Sequence, residues 1–152
     1  MKRLVSMMLV LTATLALTAC EETPPEEPTL LIDRTSLGFG QEFNSGTFIG
    51  TTGFATLLLK NEGVQDLVIS NVSLSAPNTF SFQGPSTTTI ELNQSAFIEV
   101  RFVPTAVRRD EGTLNIVSNA VNLPNLDVGL SGCGISPTPP SATNHCLRNT
   151  DL

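Results

Sequence analysis

Ala96-Phe97-Ile98-Glu99-Val100-Arg101-Phe102 is the stretch that decides the fold. Ala96, Ile98, Val100 and Phe102 alternate with Phe97, Glu99 and Arg101. An extended chain therefore turns the first set inward and leaves both charges on the outer face. Pro104 follows, and a residue with no N–H to donate marks the strand's end. The same period recurs on both sides. Thr113 to Ser118 turns Leu114 and Ile116 inward. Ala55, Leu57 and Leu59 make another inward face that stops at Asn61-Glu62-Gly63. Leu126, Val128 and Leu130 form the last strand, ended by Gly132 and Gly134. Leu67 to Leu74 changes phase at Ser70-Asn71, which predicts a bulge there. Phe80-Ser81-Phe82 and Thr88 to Leu92 are shorter, and Leu30 to Ile32 with Leu37 to Phe39 reads as a broken first strand. The polar run Arg108-Arg109-Asp110-Glu111-Gly112 reads as a turn. No segment carries the period of a long amphipathic helix, so the chain reads as all-β, an antiparallel β-sandwich of seven to eight strands.

Residues 29–134 hold this pattern and make one segment of ordinary domain size. All eight Phe lie between Phe39 and Phe102. With the Leu, Ile and Val of the strands they are expected to fill a two-sheet core without help from a metal. The chain has no Trp and no Tyr. It therefore lacks the buried Trp and the tyrosine corner of antibody-type domains, and is immunoglobulin-like in outline only. Six pieces fall in order: LGFG at 37–40, LLLKNEG at 57–63, DLVISNVSLS at 66–75, FVP at 102–104, GTLNIVSNA at 112–120 and LSGCG at 130–134. Together they resemble the Hydin-type (ASH) immunoglobulin-like domain, also found in bacterial choice-of-anchor D surface proteins. The resemblance covers about residues 30–134. It implies a seven-stranded sandwich related to major sperm protein domains, used for protein–protein contact, with no catalytic residues to carry over. Cys133 departs from the family's ending, where a small polar residue is common.

Ahead of the domain the composition changes. Lys2 and Arg3 are followed by an uncharged, mostly apolar stretch from Leu4 to Leu17, and Leu17-Thr18-Ala19-Cys20 closes it. This is the three-part layout of a secretory signal with a thiol where the mature chain would begin. LTAC resembles the lipobox of bacterial lipoproteins. The resemblance implies a signal peptide over residues 1–19, cleavage before Cys20, and fatty acylation (palmitate or a similar chain) of that cysteine. An uncut membrane span and an ordinary signal without lipid are the alternatives. The run is short for a span and holds Ser6, Thr12, Thr14 and Thr18. Two acyl chains make a lasting anchor where one would be marginal. Residues 20–28 then form a Glu/Pro tether, with Glu21, Glu22, Glu26 and Glu27 beside Pro24, Pro25 and Pro28. Loss of Lys2 and Arg3 leaves six basic against 14 acidic residues, a net charge of −8. That balance speaks against nucleic acid and anionic headgroups as ligands. Glu21 is not the aspartate that the lipoprotein family links to inner-membrane retention. The expected location is the bacterial cell envelope, lipid-anchored, at the outer rather than the inner membrane.

Residues 135–152 form a Pro/Ser/Thr tail. With Cys20 acylated, Cys133 and Cys146 remain as a pair in an oxidising compartment. A disulfide between them would close a loop of about 14 residues, worth roughly 3 kcal/mol in the chain-entropy model. A free buried Cys133 and an intermolecular pairing are the alternatives. His145 is the sole histidine, and zinc wants four ligands, so no metal or cofactor is expected. Asp110 and Glu111 would point apart in extended chain, and no second histidine supports a hydrolase triad. No glycine-rich phosphate loop opens a helix. No catalytic residues are assigned, no small-molecule substrate is evident, and the chain is not expected to be an enzyme. The expected role is a non-catalytic, membrane-anchored interaction or structural module with a protein partner of unknown identity. A carbohydrate-binding or adhesive surface module is the alternative. It is disfavoured because sugars pack on aromatic platforms, and the Phe are expected to be used by the core.

Overall fold

A computed structural model describes residues 26–39, 46–84 and 88–136. Ten strand segments follow in order: β1 (Leu30–Ile32), β2 (Ser36–Phe39), β3 (Thr47–Phe48), β4 (Gly53–Asn61), β5 (Leu67–Ser75), β6 (Phe80–Gln83), β7 (Thr88–Ile90), β8 (Ser95–Phe102), β9 (Arg109–Ser118) and β10 (Asn125–Ile135). They form two sheets. One runs β1-β4-β8-β6; the other runs β2-β10-β9-β5-β7, with β3 also on β10. The all-β sandwich expected from alternation is the fold.

The inward residues are those the period-two pattern marks. Leu57, Leu59, Ile98, Val100 and Phe102 from the first sheet meet Leu67, Ile69, Leu114, Ile116, Val128 and Leu130 from the second, all buried. Toward one end of the core, Phe39, Phe80 and Phe102 form a ring cluster, with centroids 4.8 Å apart for Phe80 and Phe102 and 5.7 Å for Phe39 and Phe102. Aromatic pairs at such separations add to the burial of their area. The bulge expected at Ser70-Asn71 is present as a register shift in β5 between Ile69 and Asn71 against β9.

Four details differ from the expectation. The broken first strand is shared between sheets. β1 pairs with β4, and the chain then crosses at Asp33–Thr35 and lies beside β10 as β2 and again as β3. Because the crossing does not reverse the chain, β2 and β3 run parallel to β10, and the sandwich is not wholly antiparallel. That split raises the number of segments above seven or eight. The run from Arg109 to Gly112 is strand and not turn, since its main chain pairs with Leu130 to Cys133. Nor does β10 stop at Gly132. A Cβ at that position would lie 2.6 Å from two Phe102 ring carbons, so the glycine makes room for a core aromatic and does not break the strand.

Candidate functional site

Among the described residues, the outer face of the β1-β4-β8-β6 sheet carries the most exposed aromatic rings. The alternation that buries Leu57 and Leu59 in β4 necessarily sends Phe54, Thr56, Leu58 and Lys60 outward. The same rule in β8 sends Phe97, Glu99 and Arg101 outward. Register sets who meets whom. Leu58 lies opposite Phe97, Thr56 opposite Glu99, and Phe54 opposite Arg101. Phe54 is 61% exposed and Phe97 60%. Leu31, on β1 opposite Lys60, extends the apolar patch.

A polar group is fixed at its side. The Arg101 Nε donates to Glu99 Oε1 at 2.7 Å, and its guanidinium also donates to the Gln83 side-chain carbonyl from β6. Its carbon stands 5.6 Å from the centre of the Phe54 ring, within cation–π range. The ion pair is about two-fifths exposed on both sides, so it contributes at most about 1 kcal/mol to stability. Its consequence is geometric: two partners hold one planar cation over an exposed ring.

The edge of β4 beyond β1 is closed by a side chain. β1 ends at Ile32, and the next residue, Asp33, accepts the Leu58 N–H at 3.0 Å in place of a strand carbonyl. Arg34 Nε donates to the same carboxylate at 2.7 Å. The backbone bond from Leu58, followed by the Arg34 side chain, holds the Asp33 carboxyl below its ordinary pKa.

The other sheet presents a different outer face. Thr113, Asn115, Ser73 and Ser75 alternate outward from β9 and β5, with Asp127, Gly129 and Ser131 on β10 and Ser36 and Gly38 on β2. Asn115 Nδ2 donates to Asp127 Oδ1 at 2.7 Å. A shallow trough runs over the glycines, lined by Ser36, Gly38, Glu111, Gly129 and Ser131.

Of the residues singled out in the sequence, Cys20, His145 and Cys146 lie outside the described residues. Cys133 is buried in β10, opposite Arg109. Asp110 and Glu111 point apart as expected, but not in a solvated turn. Asp110 is 5% exposed and accepts from Arg108 Nε at 2.8 Å, while Glu111 is exposed. The expectation that the core uses the phenylalanines is corrected. Phe39, Phe80 and Phe102 are core, Phe82 packs at its margin, and Phe48, Phe54 and Phe97 are exposed. Among the described residues no three His, Cys, Asp or Glu side chains are grouped as a metal set. Among them, too, no helix is long and apolar enough to cross a membrane.

Comparison with known proteins identifies the sandwich. Residues 28–133 match the HYDIN/CFA65/VesB-like, Ig-like domain family. Among solved structures, the ASH/PapD-like domain of human CEP192 (PapD-like domain 7) superposes with a TM-score of 0.58 at 17% identity, covering 82% of this chain and 98% of that one. A protein of unknown function from Porphyromonas gingivalis W83 gives 0.57 at 16% identity over 73% of this chain and 49% of that one. The periplasmic chaperone SfaE gives 0.51 at 9% identity, over 73% and 59%. A search of curated proteins finds no match. The chain belongs to the HYDIN/CFA65/VesB-like Ig-like domain family.

Proposed function

We propose that this family member is a non-catalytic interaction module, held to a bacterial envelope by lipid on Cys20, which recognises a protein through the outer face of its four-stranded sheet. One observation carries the reading. Two phenylalanines about 60% exposed stand on this one face, Phe97 beside Leu58 and Phe54 under an oriented arginine, with the Thr56–Glu99 row between them. A single exposed apolar residue needs no explanation, but two such rings on one sheet face, interleaved with an oriented arginine, have the aromatic and arginine composition of a recognition surface. The Ig-like and PapD-like architecture supports an interaction or structural role, and the SfaE neighbour is itself a periplasmic chaperone.

The anchor rests on the sequence: a basic start, an apolar run and LTAC before a Glu/Pro tether. Glu21 after the lipidated residue favours the outer membrane. A Cys133–Cys146 disulfide would fasten the tail to the end of β10, and titration of the mature protein finding two reactive thiols would contradict it. A Cys20→Ala chain is expected to leave the membrane fraction after a high-salt wash; retention there contradicts the anchor. The sugar-binding alternative gains one observation, since Phe54 and Phe97 are available as a platform after all. A glycan array that retains the wild-type chain but not Phe97→Ser favours that alternative over a protein partner.

A further inference from the structure

The end of the sandwich at which the tether arrives is built from three loops, each with an exposed aliphatic residue at its surface. These are Val64 between β4 and β5, Leu92 between β7 and β8, and Val121 between β9 and β10. The tether is hydrogen-bonded to these loops. Glu62 N–H donates to Thr29 O at 3.0 Å and Val121 N–H to Pro28 O at 3.1 Å. The Asn122 side chain clamps Leu30 from both sides, accepting its N–H at 3.0 Å and donating to its carbonyl at 2.8 Å. Gly63 leaves room for Glu27, whose carbonyl oxygen a Cβ would meet at 2.0 Å.

Asn61 ties the β4–β5 and β7–β8 loops to each other, and Asn119, whose Nδ2 donates to Asp66 O at 3.1 Å, ties the β9–β10 loop to the first of them. Fully buried, Asn61 donates from Nδ2 to Gln65 O at 2.7 Å and to Ile90 O at 2.9 Å, and its Oδ1 accepts the Gly63 N–H at 2.9 Å. Its main chain exchanges bonds with Asn93 and Gln94. Val64, Leu92 and Val121 therefore stand on one braced platform and not on three independent loops.

We propose that this platform seats on a neutral, zwitterionic lipid surface, with Val64, Leu92 and Val121 entering the headgroup layer. The inference deepens the lipid-anchor reading and rests on it. Two independent features choose the occupant. The first is reach. From Cys20 to Glu26 there are six residues, spanning at most about 21 Å, so an acylated Cys20 keeps this end beside the bilayer. Phe48, Ile49 and Val103, exposed apolar residues of the opposite end, stand a strand-length of eight residues away, roughly 27 Å. The second is charge. Glu26, Glu27, Glu62, Asp66 and Glu91 surround the platform, and the nearby Lys60 is bound to Glu62 at 3.0 Å. An anionic surface would be repelled, whereas headgroups that carry an ammonium suit the acidic rim.

Because the chain has no Trp, a single introduced one reports unambiguously. The full acylated chain would be prepared as Leu92→Trp, as Val121→Trp and as Phe48→Trp. Each would be placed in vesicles of phosphatidylcholine and phosphatidylethanolamine whose acyl chains are brominated. The proposal expects Leu92→Trp and Val121→Trp to shift to the blue and lose most of their emission, while Phe48→Trp keeps its own. Adding phosphatidylglycerol should restore part of the lost emission. Three results overturn it: co-sedimentation without quenching at either loop, equal quenching at Phe48→Trp, or a blue shift that bromine does not quench, which means protein covers the loops. Failure to co-sediment at all is a separate result. It defeats the anchor, and the seating with it.

Discussion

The two sheets of this sandwich solve the same interior problem and present opposite exteriors. Inward, each supplies Leu, Ile and Val at alternate positions to one shared core. Outward, β4 and β8 carry Phe54, Leu58 and Phe97 among Thr56, Lys60, Glu99 and Arg101, while β9, β10 and β5 carry Thr113, Asn115, Asp127, Gly129 and Ser73, with Val68 their exposed aliphatic exception. Nothing about closing a two-sheet core requires exposed phenylalanine on one of them. Apolar rings left in water gain no transfer free energy on folding, so the difference points away from stability and toward contact. The lesson is that inward positions report the fold and outward positions report the use.

Substitutions can break that division in order of size. Phe102→Ala removes a ring that is wholly buried in the Phe39–Phe80–Phe102 cluster and should lower unfolding free energy by about 4 kcal/mol in chemical denaturation. Asn61→Ala should lose about 3 kcal/mol by the same measurement, because two buried backbone groups, Ile90 O and Gly63 N–H, and the part-buried Gln65 O lose their partner at once. Asp33 should give a smaller, pH-dependent effect. Its folded pKa lies below the ordinary 3.8, so its contribution is complete above that value and is lost as pH falls through the folded pKa. Asp33→Asn should flatten the acid limb of the urea midpoint against pH; an unchanged limb would show that the Leu58 bond does not couple to folding. On the polar face, Gly129→Ala should stabilise by about 0.5 kcal/mol, since a Cβ there meets only Ser36 Cβ at 3.9 Å and an open strand glycine is entropically costly. The double variant Phe54→Ser, Phe97→Ser should move stability least, within about 0.5 kcal/mol, while removing the patch.

Much of the interior was legible in the sequence, and little of its assembly was. Strict alternation located β4, β8, β9 and β10 and gave the inward set, because a pleated strand admits no other arrangement once one face is buried. The bulge in β5 was visible as a phase change at Ser70-Asn71. Assignment to sheets was not visible, since pairing is a long-range choice that leaves no local mark, and the crossing of the first strand from β4 to β10 is such a choice. Glycine misled at Gly132, where the need was space for Phe102 and not a turn. Polarity misled at Asp110, whose buried carboxylate is made tolerable by Arg108. The outward phase of Phe97 was legible in its own strand, yet the aromatic count by itself suggested a core use. Asn61, Asn119 and Asn122 had no readable signature at all. Their side chains bond main chain on other loops, and composition cannot distinguish that from a solvated turn.

The division between the two faces is tested most directly by site-specific photo-crosslinking in whole cells, with the crosslinker placed at Phe97 in one chain and at Asn115 in another. Phe97 should capture the same protein reproducibly, Phe54→Ser should abolish the capture, and Asn115 should capture nothing above background. Equal capture from both faces, or a reproducible partner at Asn115 alone, would contradict the assignment of recognition to the four-stranded sheet.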